Sequence, residues 1–177
     1  MHGSKYFAKI DAKSGFYQLT LAEESRYVTT FITPRGCFRF KRTPFGLSDA
    51  SEAFHRMMEQ ILFGITRVRI SIDDVIVHAA TMKELVSRLR KVFERCREYN
   101  LKLNRSKCEF GVSQISVLGH IVSADGIKPD PKKTDAIKGT PPPSNVSDLR
   151  SFLGTCGYVA KFIPNYANIA VPLRRLT

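Results

Sequence analysis

The sequence has few cysteines and no long apolar run. These two shortages argue against a zinc-binding protein, a secreted protein and a membrane-spanning protein. Four cysteines occur in 177 residues, and no two of them have the spacing of a zinc-binding pair. The N-terminus has no apolar signal segment, and no stretch approaches the roughly 20 apolar residues that a membrane span needs. Internal repeats and low-complexity tracts are also lacking. These absences predict a protein of a reducing, intracellular compartment with no membrane partner.

Acidic residues are scarce relative to basic ones. The chain carries 28 Lys and Arg residues against 16 Asp and Glu residues, a formal net charge of +12. Its hydrophobic content is 43%, which is enough for one domain or for one domain with a small appendage. In a globular chain this excess of positive charge favours a polyanionic partner, and nucleic acid is favoured over a membrane surface.

Two of the acids, Asp73 and Asp74, stand side by side between two strand-like segments. Apolar and polar residues alternate over residues 68–72, and residues 75–77 are an apolar run, so the pattern predicts two strands that meet at the acids. Neighbouring carboxylates repel each other unless a cation lies between them, and hard oxygen ligands suit Mg²⁺ or Mn²⁺. Because Asp is also favoured in turns, this stretch alone leaves a metal site and ordinary turn chemistry equally open.

A third acid, Asp11, ends a predicted strand over residues 5–10. On local pattern alone, Asp11 is better explained as the N-cap of a short helix that runs through Gln18. In an antiparallel sheet, however, the hairpin of residues 68–78 could lie beside this strand and bring Asp73 against Asp11. Two metal ions bridged by such carboxylates could activate a 3′-hydroxyl and stabilise a leaving pyrophosphate, which is the chemistry of nucleotidyl transfer.

The remaining pattern predicts an α+β fold with an antiparallel sheet backed by two helices. Residues 27–32 and 37–40 flank a Pro-Gly turn and form a predicted hairpin. Helical spacing of apolar residues predicts a helix over residues 50–62, closed by Gly64, and a second helix opened by a capping box at Thr81 and Glu84. Residues 115–122 are predicted to form one strand that turns at residues 124–126. Four basic residues on the first hairpin suit either a phosphate-binding surface or a solvated face: Arg35, Arg39, Lys41 and Arg42.

The character of the chain changes after Ile127, where prolines become frequent. A short helix is predicted around residues 132–138, and the triple proline at residues 141–143 is a stiff spacer. Ser144 or Asn145 is predicted to cap a last helix. Residues from 128 onward are therefore expected to form a separate small helical subdomain.

The order of these motifs resembles that of the reverse transcriptases of gypsy-type LTR retrotransposons. Residues 7–19 resemble the first palm motif of that family, residues 43–47 with Ala50, Ala53 and Phe54 the second, and residues 72–74 the third. Residues 107–110 and 118–120 are similar to the two motifs that follow. Residues 149–154, 161–164 and 172–173 are similar to the segment that leads into the thumb and connection. The resemblance implies a palm with a partial fingers hairpin (about 20–42) over residues 1–127. It also implies a helical thumb with the start of the connection over residues 128–177, with most of the fingers missing.

The resemblance also implies roles for individual residues. Asp11, Asp73 and Asp74 would bind the metal ions and act in catalysis. Lys107 would protonate the departing pyrophosphate, with a surface salt bridge as the alternative. The remaining implied contacts are with nucleotide and primer. Phe16 would lie under the nucleotide sugar, and ordinary packing is the alternative explanation for this residue. Phe45 and Gly46 would line the incoming nucleotide. The primer end would be gripped by Leu118, Gly119 and His120.

The implied activity is that of an RNA-directed DNA polymerase, present as a fragment of a Pol polyprotein. Its expected cofactor is a pair of Mg²⁺ ions, with Mn²⁺ as an alternative. Its expected partners are an RNA or DNA template with primer, deoxynucleoside triphosphates, and the fingers, RNase H and integrase of the intact element. Its expected location is the cytoplasm or virus-like particles, with the nucleus as an alternative. Ser71 stands where the family usually has an aromatic residue, so a remnant that binds nucleic acid without polymerase activity is the second hypothesis.

Overall fold

The fold is given by a computed structural model that describes residues 1–71 and 73–177. Its strands are β1 (Tyr6–Asp11), β2 (Phe31–Thr33), β3 (Gly36–Phe38), β4 (Val68–Ser71), β5 (Asp74–Ala79), β6 (Glu109–Val112), β7 (Gln114–Val117), β8 (His120–Ser123) and β9 (Gly126–Pro129). Its α-helices are α1 (Ala50–Leu62), α2 (Met82–Glu98), α3 (Pro131–Lys138), α4 (Val146–Val159) and α5 (Tyr166–Arg174). Short 3₁₀ helices connect several of these elements.

The main sheet has the strand order β4-β5-β1-β6, and each neighbouring pair in it is antiparallel. β1 is therefore an interior strand, with β5 on one side and β6 on the other. Side chains alternate between the two faces of a strand, and one face of β1 and β5 carries buried apolar residues that join the core with α1 and α2. These residues are Ala8, Ile10, Val75 and Val77. The predicted antiparallel sheet backed by two helices is confirmed.

The two helices behind the sheet form where their caps and apolar stripes predict them. In α2, the Thr81 hydroxyl accepts a hydrogen bond from the Glu84 N–H at 3.3 Å, and the Glu84 carboxylate accepts one from the Ala80 N–H at 3.3 Å. α1 ends just before Gly64, whose φ of +81° lies in the left-handed region that favours glycine. Both helices contribute fully buried apolar side chains, among them Phe54 and Leu85.

The hairpin predicted from residues 27–40 is present in shortened form. β2 and β3 pair between Phe31 and Phe38, whereas Glu23–Thr29 form a 3₁₀ helix instead of a strand. The prediction of a strand from residue 27 was wrong because threonine hydroxyls satisfy the backbone locally. The Thr29 hydroxyl donates to the Arg26 carbonyl at 2.7 Å, and the Thr30 hydroxyl donates to the Tyr27 carbonyl at 2.5 Å.

The chain divides into two compact units, Met1–Ile115 and Ser116–Thr177. The functional boundary between palm and thumb at residues 127 and 128 is a different kind of division and stays a prediction. A three-stranded sheet has the order β7-β8-β9. The prediction of a single strand over residues 115–122 is wrong, because these residues belong to two strands, β7 and β8. Leu118 and Gly119 adopt positive φ angles of 46° and 66°, so a turn separates β7 from β8.

The first two helices of the second unit, α3 and α4, begin at side-chain caps. Asp130 accepts a hydrogen bond from the Lys132 N–H at the start of α3, and Asn145 accepts one from the Asp148 N–H at the start of α4. Asn145, one of the two predicted caps, is therefore the residue that caps this helix. α4 is not the last helix, because α5 follows it and contains Pro172. Within the described residues, no helix combines the length and the apolar composition needed to cross a bilayer.

Candidate functional site

The sheet register brings the first and third predicted palm motifs together. Asp11, at the end of β1, lies directly opposite Asp74, the first residue of β5. Asp74 is also paired with Ser71 on the other side, and Asp73 lies in the turn between β4 and β5. Ile72, which belongs to the predicted third motif, lies outside the described residues. We call Asp11, Asp73 and Asp74 the three-acid site.

The local alternative for Asp11 does not fit the structure. The 3₁₀ helix Gly15–Gln18 begins after Ser14, and its N-terminus has no side-chain cap hydrogen bond. Asp11 instead occupies the last position of an interior strand. The prediction that Asp11 caps this helix was therefore wrong, and its pairing with Asp74 leaves its carboxylate for another use.

The charges at the three-acid site act on one another. Partial burial raises the pKa of the Asp73 carboxyl, and the nearby Asp74 and Asp11 carboxylates raise this pKa further. Asp74 has a cationic partner, because the Lys9 Nζ lies 2.7 Å from the Asp74 Oδ2 atom. Neighbouring carboxylates that repel one another form an environment that favours a bound cation.

The donor set suits a hard divalent cation, although the site is not preassembled. Aspartate oxygens are the ligands that Mg²⁺ and Mn²⁺ prefer. Among residues 1–71 and 73–177, no three acidic, histidine or cysteine side chains converge into a ready metal cluster. The Asp74 carboxylate is instead paired with Lys9 through its Oδ2 atom.

The segment after Asp11 is anchored by distant main chain. The Asp11 carbonyl accepts a hydrogen bond from the Asn104 N–H at 2.9 Å, and the Lys13 N–H donates to the Lys102 carbonyl at 2.9 Å. The Asp11 N–H points to the Cys108 sulfur at 3.5 Å. The Gln18 side chain adds hydrogen bonds to both Lys13 and Lys102. The backbone at Asp11 is thus fixed by the segment that carries Lys107.

The predicted nucleotide-binding residues Phe16 and Phe45 are in contact. Their ring centroids lie 5.2 Å apart, and Phe16 also meets the buried ring of Phe54 edge-on at 5.9 Å. Phe45 is 62% exposed, and the following Gly46 has a φ of +94°, which suits glycine. Phe16 therefore packs against the core on one side and against an exposed aromatic ring on the other. Ordinary core packing and the predicted contact with a nucleotide sugar are thus compatible explanations for this residue.

Lys107 ends the short 3₁₀ helix Arg105–Lys107, one residue before Cys108. Its side chain is exposed, and no carboxylate in the part of the chain that the structure describes forms an ion pair with it. The surface salt bridge that was its alternative explanation is therefore not formed within those residues. The segment that carries Lys107 contacts the Asp11 main chain through the Asn104 N–H and the Cys108 sulfur.

The predicted primer grip forms the turn between β7 and β8 in the second unit. Tyr158 of α4 donates its hydroxyl to the Leu118 carbonyl, and a Cβ added at Gly119 would lie 2.7 Å from that hydroxyl. His120 stacks on the Tyr158 ring at 5.3 Å with an interplanar angle of 15°. Desolvation lowers the pKa of His120, and Lys161 lowers it further. An aromatic contact from α4 thus fixes the shape of this turn.

Three residues with clear structural roles were missed from sequence. Lys9 pairs with Asp74, Gln18 ties the Asp11 segment, and Tyr158 holds the turn at Leu118. Lys9 has a sequence signal, because it precedes Asp11 by two residues and must share its face of the strand. Gln18 and Tyr158 have none, since their partners lie 84 and 40 residues away in the chain.

Comparison with known proteins defines the class. Residues 1–122 match the family model described as reverse transcriptase (RNA-dependent DNA polymerase). The chain therefore belongs to the reverse transcriptase family. It is 41% identical over 175 residues to the retrovirus-related Pol polyprotein from transposon 412 of Drosophila melanogaster, and 37% identical over 172 residues to that from transposon gypsy of the same organism. These alignments cover 98% and 96% of this chain but only 14% and 17% of the polyproteins.

Solved structures show the same fold. The chain superposes with a TM-score of 0.92 on the foamy viral protease-reverse transcriptase in complex with double-stranded DNA, at 24% identity. It superposes with a TM-score of 0.87 on the foamy viral protein in complex with an RNA/DNA hybrid, also at 24% identity. Each match covers 97% of this chain, and 30% and 24% of the viral chains. The predicted reverse-transcriptase fold is thereby confirmed.

Proposed function

We propose that this chain is the catalytic palm portion of an RNA-directed DNA polymerase encoded within a retrotransposon Pol polyprotein. The observation that carries the proposal is the register of Asp11 against Asp74, with Asp73 in the adjoining turn, in a chain of the reverse transcriptase family. Paired carboxylates at the end of an interior strand are the ligands that template-directed nucleotidyl transfer requires.

Asp11, Asp73 and Asp74 would hold two Mg²⁺ ions, with Mn²⁺ as an alternative. Such ions, when bound, supply the charge that activates a primer 3′-hydroxyl and stabilises a leaving pyrophosphate. The remaining roles belong to side chains of the chain itself. Phe16 and Phe45 form an aromatic wall for the sugar of a deoxynucleoside triphosphate, and Gly46 allows the backbone to come close to it. Lys107, exposed and free of ion pairs within the described residues, is available to donate a proton to the pyrophosphate.

The partner of the protein would be an RNA or DNA template with its primer. The net charge of +12 supports a polyanionic partner. The similar foamy viral proteins were solved in complex with double-stranded DNA and with an RNA/DNA hybrid. Leu118, Gly119 and His120 would contact the primer end through their rigid turn. The rest of a Pol polyprotein would supply the fingers, RNase H and integrase, and the protein would act in the cytoplasm or in virus-like particles, with the nucleus as an alternative.

Primer extension on an RNA template tests the proposal in the intact polymerase that carries this segment. Asp73→Asn keeps the size of the side chain and removes a metal-binding charge, so we expect at least a roughly 100-fold loss of Mg²⁺-dependent incorporation. Asp135→Asn is the matched control, because Asp135 is exposed on α3 and its ion pair with Lys138 is a surface pair.

Extension by Asp73→Asn at the parental rate would show that the three acids are not the catalytic ligands. Binding of template and primer with a steep salt dependence, but without any Mg²⁺-dependent incorporation by the parent, would favour a nucleic-acid-binding remnant instead.

A further inference from the structure

Lys9 makes an ion pair inside the three-acid site. Its ammonium lies 2.7 Å from the Asp74 Oδ2 atom, and only 22% and 23% of the two side chains is exposed. The other ion pairs of the described residues are longer, and in each of them at least one side chain is about half exposed or more; in the pair of Lys128 with Asp125 at 3.9 Å, 66% and 80% of the side chains are exposed. Shielding from water strengthens a charge contact, so the Lys9 pair is of a different kind from these surface pairs.

The position of Lys9 on the sheet places two acidic residues, Glu109 and Asp74, near its side chain. Glu109 on β6 is its register partner on one side, and Ile76 on β5 is its partner on the other. Asp74 lies two residues along β5 from Ile76, on the same face of the sheet. The ammonium nevertheless lies on Asp74, which is the acid that also faces Asp11 across the strands.

We propose that Lys9 is a resident counter-ion of the three-acid site, which holds Asp74 in the metal-free protein and competes with the divalent cation for this carboxylate. The inference rests on the proposed metal-binding role of Asp11, Asp73 and Asp74.

The electrostatics of the site explain why a counter-ion is needed. The register holds the Asp11 and Asp74 carboxylates opposite each other, and like charges in directly opposed positions destabilise a sheet. An ammonium two residues from Asp11 offsets that repulsion without any metal. The same contact opposes metal binding, because one carboxylate oxygen cannot bind the ammonium and the cation at full strength together. Lys9 therefore stabilises the free protein and lowers its affinity for the cation.

Direct metal binding tests this inference without a measurement of activity. The 177-residue chain is titrated with Mn²⁺, and free Mn²⁺ is followed by electron paramagnetic resonance. Lys9→Met removes the charge and keeps most of the side-chain volume, so we expect Mn²⁺ to bind roughly ten-fold more tightly. The unfolding midpoint of Lys9→Met in EDTA should lie below that of the parent, and saturating Mn²⁺ should abolish the difference.

Two further variants separate the contact from the loss of net charge. Lys9→Arg retains a cation and should keep the affinity within about two-fold of the parent. Lys5→Met removes a charge from an exposed side chain just before the same strand, and we expect less than a two-fold change because solvent screens it. A purely structural role for Lys9 would lower stability without raising Mn²⁺ affinity, and that result would overturn the inference.

Asp11→Asn distinguishes this failure from failure of the proposed function. Loss of Mn²⁺ binding in Asp11→Asn together with unchanged affinity in Lys9→Met would reject the role of Lys9 and leave the three-acid metal site standing. Mn²⁺ binding that is insensitive to Asp11→Asn would reject the metal site, and with it the competition by Lys9.

Discussion

The side-chain amide of Gln18 and the main chain of Lys102 form a reciprocal pair of hydrogen bonds. The Gln18 Nε2 atom donates to the Lys102 carbonyl at 2.9 Å, and its Oε1 atom accepts from the Lys102 N–H at 2.8 Å. Nε2 also donates to the Lys13 carbonyl at 2.7 Å. One side chain therefore joins the segment after Asp11 to the segment before Lys107, two parts of the chain that carry proposed catalytic residues.

Gln18→Leu should destabilise the protein by about 1–3 kcal/mol, because a leucine of similar size leaves the Lys102 N–H and the Lys13 carbonyl without this partner. Water replaces part of the loss, since the site is partly exposed. Urea unfolding followed by circular dichroism measures the change. Gln60→Leu, on the exposed face of α1, serves as the control and should change stability by less than about 0.5 kcal/mol. Equal effects of the two substitutions would contradict an anchoring role for Gln18.

Gly15 and Gly154 should respond to alanine in opposite directions. A Cβ at Gly15 would lie 2.8 Å from the ring of Phe54, which is fully buried and has little room to move, so Gly15→Ala should be destabilising. Gly154 is inside α4 with no atom within 4 Å of its added Cβ, so Gly154→Ala should stabilise the protein by about 0.5–1 kcal/mol. Thermal unfolding of both variants decides this, and a neutral Gly15→Ala would show that Phe54 can shift.

His78 should make stability fall in mild acid. Burial, the largest cause, acts together with nearby positive charges that include Arg67 and Arg88 to lower the pKa of His78 from 6.5 to about 4. The neutral form is hydrogen-bonded to the Ser4 hydroxyl at 2.7 Å. Above pH 6.5 the histidine is neutral in both states. As the pH falls below 6.5, the unfolded chain binds a proton that the folded protein excludes, and stability is lost until about pH 4.

The size of this loss is on the order of 3 kcal/mol, from the linkage between proton binding and folding. It is measured as the difference in unfolding free energy between pH 7 and pH 4.5 for the parent and for His78→Asn. The variant should show a flatter pH dependence than the parent. Parallel curves for the two proteins would show that other groups carry the acid sensitivity.

Tyr158→Phe should loosen the turn at Leu118 while leaving the aromatic stack with His120. The substitution removes the hydroxyl that donates to the Leu118 carbonyl, and we expect a loss of about 1 kcal/mol in stability. Amide hydrogen exchange of residues 118–120 should become faster. Tyr99→Phe, at a tyrosine that is 54% exposed, is the matched control and should leave both measurements unchanged. Unchanged exchange in Tyr158→Phe would show that stacking alone holds the turn.

Local signals predicted much of this fold correctly. The capping box at Thr81 and Glu84 and the apolar stripe of α1 specify their helices within a few residues of chain. The approach of the hairpin to Asp11 was also anticipated from sequence, because in an antiparallel sheet a hairpin can lie beside an earlier strand. The resulting pair differs in one detail, since Asp74 and not Asp73 lies opposite Asp11.

The features that were missed depend on distant partners or on unusual backbone. Tyr27 and its neighbours have the side chains of a strand, but threonine hydroxyls close a 3₁₀ helix there. Leu118 adopts a positive φ that a leucine rarely takes, and Tyr158 from another element supports it. α5 contains Pro172, which argues against a helix on local grounds. Sequence spacing carries no information about such compensating contacts.

The interior position of β1 has a consequence for local stability. Strands paired on both sides open only in large unfolding events, whereas a turn residue such as Asp73 lies outside the ladder and opens in small ones. We therefore expect the amides on the β1 side of the three-acid site to exchange slowly and those at the hairpin tip to exchange rapidly. A cation bound by both Asp11 and Asp73 would restrain the hairpin tip against the sheet. Cation binding would then be detected as slower amide exchange in the turn at Asp73.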